Sequence, residues 1–314
     1  MIFWYFDFDE MLPIFALLYM LTFAREKFIA ALKFQREKAG VENGFWEREI
    51  EENFQIFESL PSTNKTLWEL IDKGAPTGTV VIANQQTAGK GQWGRNWISE
   101  AGGLYMSVAL AKPCGCNIAP NLPISHTAQL TISGALGIAT ALRDRQIPVW
   151  LKWPNDLILQ NLKLGGILTE ARVERGQITK GIIGVGLNWA NRVPETGINL
   201  QTYFAGEATG KEATGELLSL EMLAATVLQG TELGLWRLFE EGIDRLLPSY
   251  CQLLSSMGRE ISIDGRSGKI VGVTPTGELR VKVDSDSMAA TSYSPASTTE
   301  IFIKPGTITL GYSE

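Results

Sequence analysis

The chain has 314 residues, of which 45% are hydrophobic and 20% are charged, a composition typical of a soluble globular protein with a sizeable core. Its formal net charge of −6 argues against broad nucleic-acid binding, because a phosphate-binding surface requires a basic excess. Three cysteines and the single histidine, His126, argue against a disulfide framework, a structural zinc site and a histidine-based triad, and favour a cytoplasmic location.

The first 23 residues are strongly apolar, yet three of the first ten are acidic. The apolar run over residues 11–23 is shorter than the roughly 20 residues that span a bilayer, and a signal peptide would begin with basic residues. We therefore expect no stable membrane insertion. An upstream start codon is favoured over an interfacial anchor as the origin of residues 1–19. Residues 20–40 are predicted to form an amphipathic helix.

Hydrophobic periodicity and turn residues predict the elements that follow. Strands are expected at residues 53–60, 78–84, 104–110, 149–153, 156–159, 163–173 and 177–189. Helices are expected after Ser62 or Thr63 as N-cap up to Gly74, and over residues 125–145, 219–240 and 243–256, with interruptions near Gly242 and Pro248.

The texture of the sequence changes after Gly258. Short alternating strands with turns at Asp264-Gly265 and Thr276-Gly277 predict an all-β module of small-barrel size. We therefore predict an N-terminal extension over residues 1–45, a catalytic domain over 46–257 and a small β-domain over 258–314.

The segment Gly89–Gly94 reads GKGQWG and matches the pattern G-x-G-x-x-G. A dinucleotide-binding site would need a helix that opens at Gly94 and an acid about 20 residues later, and the sequence offers neither. Glycines let a backbone approach a ligand closely, and Lys90 and Arg95 add positive charge to its N–H groups. The loop therefore suits an anionic ligand, with a solvated surface hairpin as the alternative.

Three further segments combine lysines, glycines and amides at strand ends: Lys152–Asp156 (KWPND), Lys163–Leu168 (KLGGIL) and Gly184–Asn188 (GVGLN). A glycine inside a strand often marks the close approach of a ligand or of another backbone. Each segment also has a plain structural explanation, with Trp153 as a core residue and Lys163 as a solvated turn residue. Their combination favours a ligand site.

Together with Ser62-Thr63-Asn64 and the loop from Gln86 to Trp97, these segments resemble the biotin–protein ligase family in order and spacing. KWPND followed by KLGGIL is highly specific to that family. The resemblance implies an α+β fold, with a mixed β-sheet and packed helices of the class II synthetase type and a small C-terminal SH3-like β-barrel.

The resemblance also implies an ATP-dependent ligase with two half-reactions. Biotin and Mg·ATP would form biotinyl-5′-AMP, and the biotin would then pass to a lysine of an acceptor such as the biotin carboxyl carrier protein of acetyl-CoA carboxylase. Cofactors and substrates would be biotin, ATP and Mg²⁺. A lipoate-type ligase and a non-catalytic biotin sensor are the alternatives. The residues before the landmarks show no helix-turn-helix pattern, so no DNA binding is expected, and a homodimer is left open.

Site residues follow from the matching motifs. Catalytic roles are implied for Lys163, Lys90 and Arg95. Biotin binding is implied for Ser62, Thr63, Asn64, Gln86, Lys90, Lys163, Gly166 and Gly184. Adenylate binding is implied for Arg95, Trp97, Lys152, Asn155 and Asn188. No side-chain cluster predicts a metal site, and the sequence leaves open whether Asp156 assists deprotonation of the acceptor lysine.

The glycine loop departs from the family pattern G-R-G-R-x-G-R-x-W, because it reads GKGQWGRNW here. Lys90 keeps the charge of the first arginine but not its bidentate geometry, and Gln92 loses the charge of the second. We expect a weaker hold on biotinyl-5′-AMP, or a compensating contact made by Trp93.

Overall fold

The computed structural model describes residues 23–39, 53–110, 122–123, 127–207, 219–263, 265–284, 298–308 and 310–311. Residues 1–19, Cys114, Cys116 and His126, on which predictions were made, lie outside the described residues. Among the helices in these ranges, none combines the length and apolarity that a membrane crossing requires. The same ranges contain no group of three or more potential metal ligands of the His, Cys, Asp or Glu type.

Six helices and twelve strands form the described part of the chain. The helices are α1 (Arg25–Ala39), α2 (Thr63–Asp72), α3 (Thr127–Arg143), α4 (Leu200–Glu207), α5 (Leu220–Glu241) and α6 (Ile243–Leu253). The strands are β1 (Phe54–Leu60), β2 (Val80–Gln86), β3 (Leu104–Ala109), β4 (Leu122–Pro123), β5 (Trp150–Lys152), β6 (Asp156–Leu159), β7 (Leu162–Glu174), β8 (Gln177–Leu187), β9 (Glu260–Ile263), β10 (Arg266–Val273), β11 (Leu279–Asp284) and β12 (Thr298–Ile303).

The larger sheet has the strand order β1-β2-β3-β8-β7-β6-β5, with β4 paired to β8. Only β1 and β2 pair in parallel, and the other neighbours are antiparallel. The long hairpin β7–β8 forms its centre, as the turn at residues 174–176 predicted. With helices packed on this sheet, the predicted mixed α+β fold is confirmed.

Helix α3 packs on the sheet and against α5, and the two helices cross at glycines. A methyl group built on Gly137 would lie 1.9 Å from the carbonyl oxygen of Gly230 and 2.8 Å from the amide nitrogen of Gly234. No side chain separates the helices at this point, so their backbones are in direct contact. The flanking side chains Leu136 and Ile138 are buried in the main core.

Helix α2 contributes to a second, smaller core, with Leu67 and Ile71 packed near Val81 and Ile182 of the sheet. Ser62 occupies the N-cap position with an extended backbone, but its side chain makes no capping hydrogen bond. Ser62, one of the two residues predicted as N-cap, is therefore the N-cap. The predicted interruption at Pro248 is wrong, because that proline lies inside α6.

The second sheet is antiparallel in the order β12-β11-β10-β9 and is compatible with the predicted SH3-like barrel. Its buried residues Ile270 and Leu279 join the same core cluster as α3. Trp153 is 4% exposed and donates its indole N–H to the carbonyl of Gly277 at 2.8 Å. The core interpretation of Trp153 is therefore right, and the domain boundaries remain a prediction.

Candidate active site

A cavity of about 200 Å³ opens where the strands of the larger sheet meet the glycine loop. Its lining contains all the sequence-predicted site residues except Asn188: Ser62, Thr63, Asn64, Gln86, Lys90, Arg95, Trp97, Lys152, Asn155, Lys163, Gly166 and Gly184. They come from five separate parts of the chain. The β1–α2 junction and the end of β2 supply one side, and the starts of β6 and β7 supply the other.

Asn188 lies behind the cavity wall. Its side-chain amide donates to the carbonyl oxygens of Lys163 and Ile198, both at 3.3 Å, and its oxygen accepts from Asn191 at 3.0 Å. With both ends of the amide engaged and 5% of the residue exposed, Asn188 holds the backbone beneath Lys163. Its predicted adenylate contact remains untested.

One end of the cavity is polar and uncharged. The side-chain oxygen Oε1 of Gln86 accepts hydrogen bonds from the Thr63 backbone N–H at 2.8 Å and from the Thr63 hydroxyl at 3.2 Å. The fully buried Ser107 hydroxyl lies 2.7 Å from Thr63 Oγ1 and 2.6 Å from Asn64 Oδ1, and donates to one of them. Sequence reasoning missed Ser107, because a small polar residue within a buried strand carries no pattern of its own.

Glycines in β8 make room for two of these side chains. A methyl group on Gly184 would lie 2.3 Å from Asn64 Oδ1, and one on Gly186 would lie 2.5 Å from Trp97 Nε1. The GVG pattern thus creates two depressions in the sheet, which Asn64 and Trp97 occupy. The Trp97 indole nitrogen is buried without a hydrogen-bond partner among the described residues.

The other end of the cavity is cationic. Lys163 Nζ lies 2.7 Å from Asp156 Oδ1 and 5.1 Å from the centre of the Trp97 ring. Lys152 is 8% exposed, and its burial, reinforced by the nearby cations Lys163 and Arg95, lowers its pKa to about 8 against the opposing effect of Asp156. Positive charge therefore exceeds negative charge at this end, as an anion site requires.

The segment after β12 closes the cavity from the far side, with Gly306, Ile308 and Leu310 in its lining. Arg259, a cation of the C-terminal region, is also close enough to lower the pKa of Lys152. Sequence reasoning missed these residues, because they reach the cavity only through the docking of the second sheet. The glycine of the KPGT segment was the one visible signal.

Comparison with known proteins places this geometry in a family. The sequence model of the "Biotin/lipoate A/B protein ligase family" matches residues 56–188. The chain belongs to this family. The matched region contains every predicted site residue, whereas the segment with Gly306 lies beyond it. The family region thus carries the whole predicted site, and the C-terminal region adds a wall to it.

Two curated relatives are bifunctional ligase/repressor BirA proteins. That of Bacillus subtilis is 39% identical over 131 residues, which are 41% of this chain and 38% of the relative. That of Salmonella typhimurium is 31% identical over 227 residues, which are 71% of this chain and 66% of the relative. The chain thus spans about two fifths of the length of the first relative.

The fold is similar to that of a biotin protein ligase from Aquifex aeolicus solved in complex with biotin and ATP. That structure is 27% identical, with a TM-score of 0.57, and the match covers 80% of this chain and 95% of the other. The similarity extends beyond residues 56–188, since it covers nearly the entire length of the solved family member.

Proposed function

We propose that the chain activates biotin with Mg·ATP to form biotinyl-5′-AMP and transfers the biotin to a lysine of an acceptor protein. The observation that carries this proposal is one cavity with a polar uncharged end and an opposite cationic end, where Lys163 lies 2.7 Å from Asp156. A ligand with a neutral hydrogen-bonding head and a carboxylate tail matches this polarity. We propose the biotin carboxyl carrier protein of acetyl-CoA carboxylase as the acceptor.

The polar end suits the ureido ring of biotin, which has two N–H donors and one carbonyl acceptor. Ser62, Thr63, Asn64 and Gln86 provide hydroxyl and amide groups there. Buried polar groups that need partners discriminate strongly against a ligand unable to supply them. A lipoyl ring has no N–H or carbonyl group, so this end of the cavity favours biotin over lipoate.

The cationic end suits the reacting groups. In the first half-reaction, a biotin carboxylate oxygen forms a bond to the α-phosphorus of ATP as the bond to pyrophosphate breaks. The Lys163 ammonium, with Lys90 and Arg95 from the loop, neutralises negative charge on the phosphorus oxygens. Asp156 holds the Lys163 ammonium in place by a charge-assisted contact.

In the second half-reaction, the amine of the acceptor lysine attacks the carbonyl carbon of the mixed anhydride. A carbon–nitrogen bond forms, the carbon–oxygen bond to AMP breaks, and the nitrogen of the neutral amine loses one proton to solvent and keeps one in the amide. Trp97 and Asn155 line the part of the cavity next to Lys163, where we propose that the adenylate is held. Lys152 then faces the phosphate groups of the nucleotide.

The proposal is tested by incubating the full chain with Mg·ATP, biotin and an unmodified biotin carboxyl carrier domain. We expect mass spectrometry to find one biotin on a single lysine, together with biotin-dependent exchange of pyrophosphate into ATP. Lipoate in place of biotin serves as the matched substrate control. Labelling with lipoate alone would identify a lipoate-type ligase, and biotin binding without pyrophosphate exchange would identify a sensor.

The lowered pKa of Lys152 predicts a pH dependence of nucleotide binding. A lysine with a pKa of about 8 is charged below this pH and neutral above it, so it attracts phosphate only on the acid side. We expect the KM for Mg·ATP in the exchange reaction to rise by roughly tenfold or more above pH 8. This is the change in affinity that follows from the loss of one hydrogen bond to a charged group.

The variant Lys152→Arg provides the control for this pH dependence, because a guanidinium stays charged throughout this range. Its KM should stay low to higher pH. An equal rise of KM in wild type and Lys152→Arg would assign the pH dependence to another group.

A further inference from the structure

The tip of the glycine loop contacts the C-terminal region through Trp93. Trp93 lies in the short turn Gln92–Gly94 with a φ of 54°, in the left-handed region that a bulky residue rarely adopts. Its ring lies against Gly306, where an added methyl group would be 2.7 Å from Cε2 and 2.8 Å from Nε1. The tip of the glycine loop, which lies in the region matched by the family model, thus contacts a glycine of the C-terminal region.

The rest of the loop is a hydrogen-bonded hairpin. The Gly91 amide donates to the Arg95 carbonyl at 2.7 Å, and the Trp97 amide donates to the Gly89 carbonyl at 3.0 Å. These bonds tie the two arms of the loop to each other, but they do not tie the loop to the far wall of the cavity. At its tip, the buried side-chain oxygen Oε1 of Gln92 has no hydrogen-bond partner among the described residues.

Gly306 is suited to this contact for two reasons. Its φ of 90° lies in the region that disfavours side chains, and the Trp93 ring fills the space that a side chain would occupy. Gly306 also lines the cavity, next to Ile308 and Leu310. A contact at Trp93 therefore joins the two walls of the cavity on either side of the cationic end.

We infer that Trp93 and Gly306 form a latch that holds loop 89–97 across the cavity and slows the escape of the activated intermediate. Trp93 is a positioning residue in this scheme, since it acts through the loop that carries Lys90 and Arg95. The inference rests on the proposed function. Gln92 is uncharged and does not retain the intermediate by attracting its phosphate. The aromatic contact of Trp93 retains the intermediate instead.

The latch is tested by measuring how fast biotinyl-5′-AMP, formed in place by the full chain from labelled biotin, is released into a chase of unlabelled intermediate. We expect release from Trp93→Ala to be roughly three- to tenfold faster than from wild type, the range of an aromatic packing contact. Trp93→Phe keeps an aromatic ring and should recover most of the retention.

Gly306→Ala should accelerate release as well, because its methyl group displaces the Trp93 ring. The matched control is Gly265→Ala in the turn between β9 and β10, since Gly265 has a similar φ of 79° but open space around it. This control carries the same backbone strain without touching Trp93, and its release rate should equal that of wild type. In a Trp93→Ala background, Gly306→Ala should add nothing further.

Equal release from Gly306→Ala and Gly265→Ala, or fully additive effects of the Trp93 and Gly306 variants, would overturn the latch. If wild type formed no biotinyl-5′-AMP, the proposed function and the retention role would both fail. Hydrogen exchange of amides 89–97 in the ligand-free protein tests the contact between Trp93 and Gly306 whether or not the protein forms biotinyl-5′-AMP. Exchange should be faster in Trp93→Ala than in Trp93→Phe, and equal rates would show that Trp93 does not hold the loop.

Discussion

Replacing Lys163 by alanine is expected to lower the rate of biotin-dependent pyrophosphate exchange by roughly 10²–10³-fold, as removal of one aligned stabilising group does elsewhere. The ammonium lies 2.7 Å from Asp156 at the cationic end of the cavity, and we propose that it neutralises the charge that develops at the α-phosphorus. Its loss leaves the Asp156 carboxylate to repel that same charge. Exchange of labelled pyrophosphate into ATP at saturating biotin measures the effect.

The matched control is Lys180→Ala, which removes a lysine from β8, the partner strand of the same hairpin. Lys180 does not line the cavity, so the rate of pyrophosphate exchange by Lys180→Ala should equal that of wild type. Thermal unfolding of Lys163→Ala should stay close to that of wild type, because a partly exposed ion pair contributes at most about 1 kcal/mol. Exchange at more than a tenth of the wild-type rate in Lys163→Ala would assign the chemistry to another group.

Replacing Gly137 by alanine is expected to lower the free energy of unfolding by at least about 3 kcal/mol, at the upper end of the cost of overpacking. The added methyl group would lie 1.9 Å from the Gly230 carbonyl oxygen, and backbone cannot rotate away as a flexible side chain can. Helices α3 and α5 would have to separate, and the buried side chains between them and the sheet would lose contacts. Denaturant unfolding at equilibrium measures the change.

Gly134→Ala, in the same helix, makes the same chemical change in a different environment. Its methyl group would meet Ile183 Cδ1 at 3.6 Å, which is ordinary van der Waals contact. Alanine also favours the helix over glycine by about 1 kcal/mol. This variant should therefore be as stable as wild type or slightly more stable. Equal losses in both variants would show that glycine is required for a reason other than the helix crossing.

Much of the fold is visible in the sequence, because strand and helix periods are local properties. The alternation over residues 163–173 and 177–189, with a turn between them, predicted the central hairpin to within a few residues. Pro248 shows the limit of such reasoning. A proline usually interrupts a helix, yet here it lies inside α6, five residues before the last helical residue Leu253, while Gly242 provides the break.

The candidate site could be predicted where chemistry and spacing coincide. KWPND and KLGGIL place Lys152, Asp156 and Lys163 around one hairpin of strands, and the structure brings them into one cavity. The sequence predicted Asn188 as a site residue on the same grounds, but its side-chain amide donates to backbone carbonyl oxygens behind the cavity wall. Which way an amide faces depends on its surroundings, and those are tertiary. The absence of DNA binding remains a prediction.

The sequence by itself determined the family, the mixed sheet and a set of site residues that, apart from Asn188, line the cavity, because these follow from local periodicity and short motifs. Only the tertiary structure decided how the cavity is closed. Trp93 and Gly306 are separated by more than 200 residues, and nothing local to either one specifies the other. The lowered pKa of Lys152 likewise arises from burial and from cations that distant segments supply.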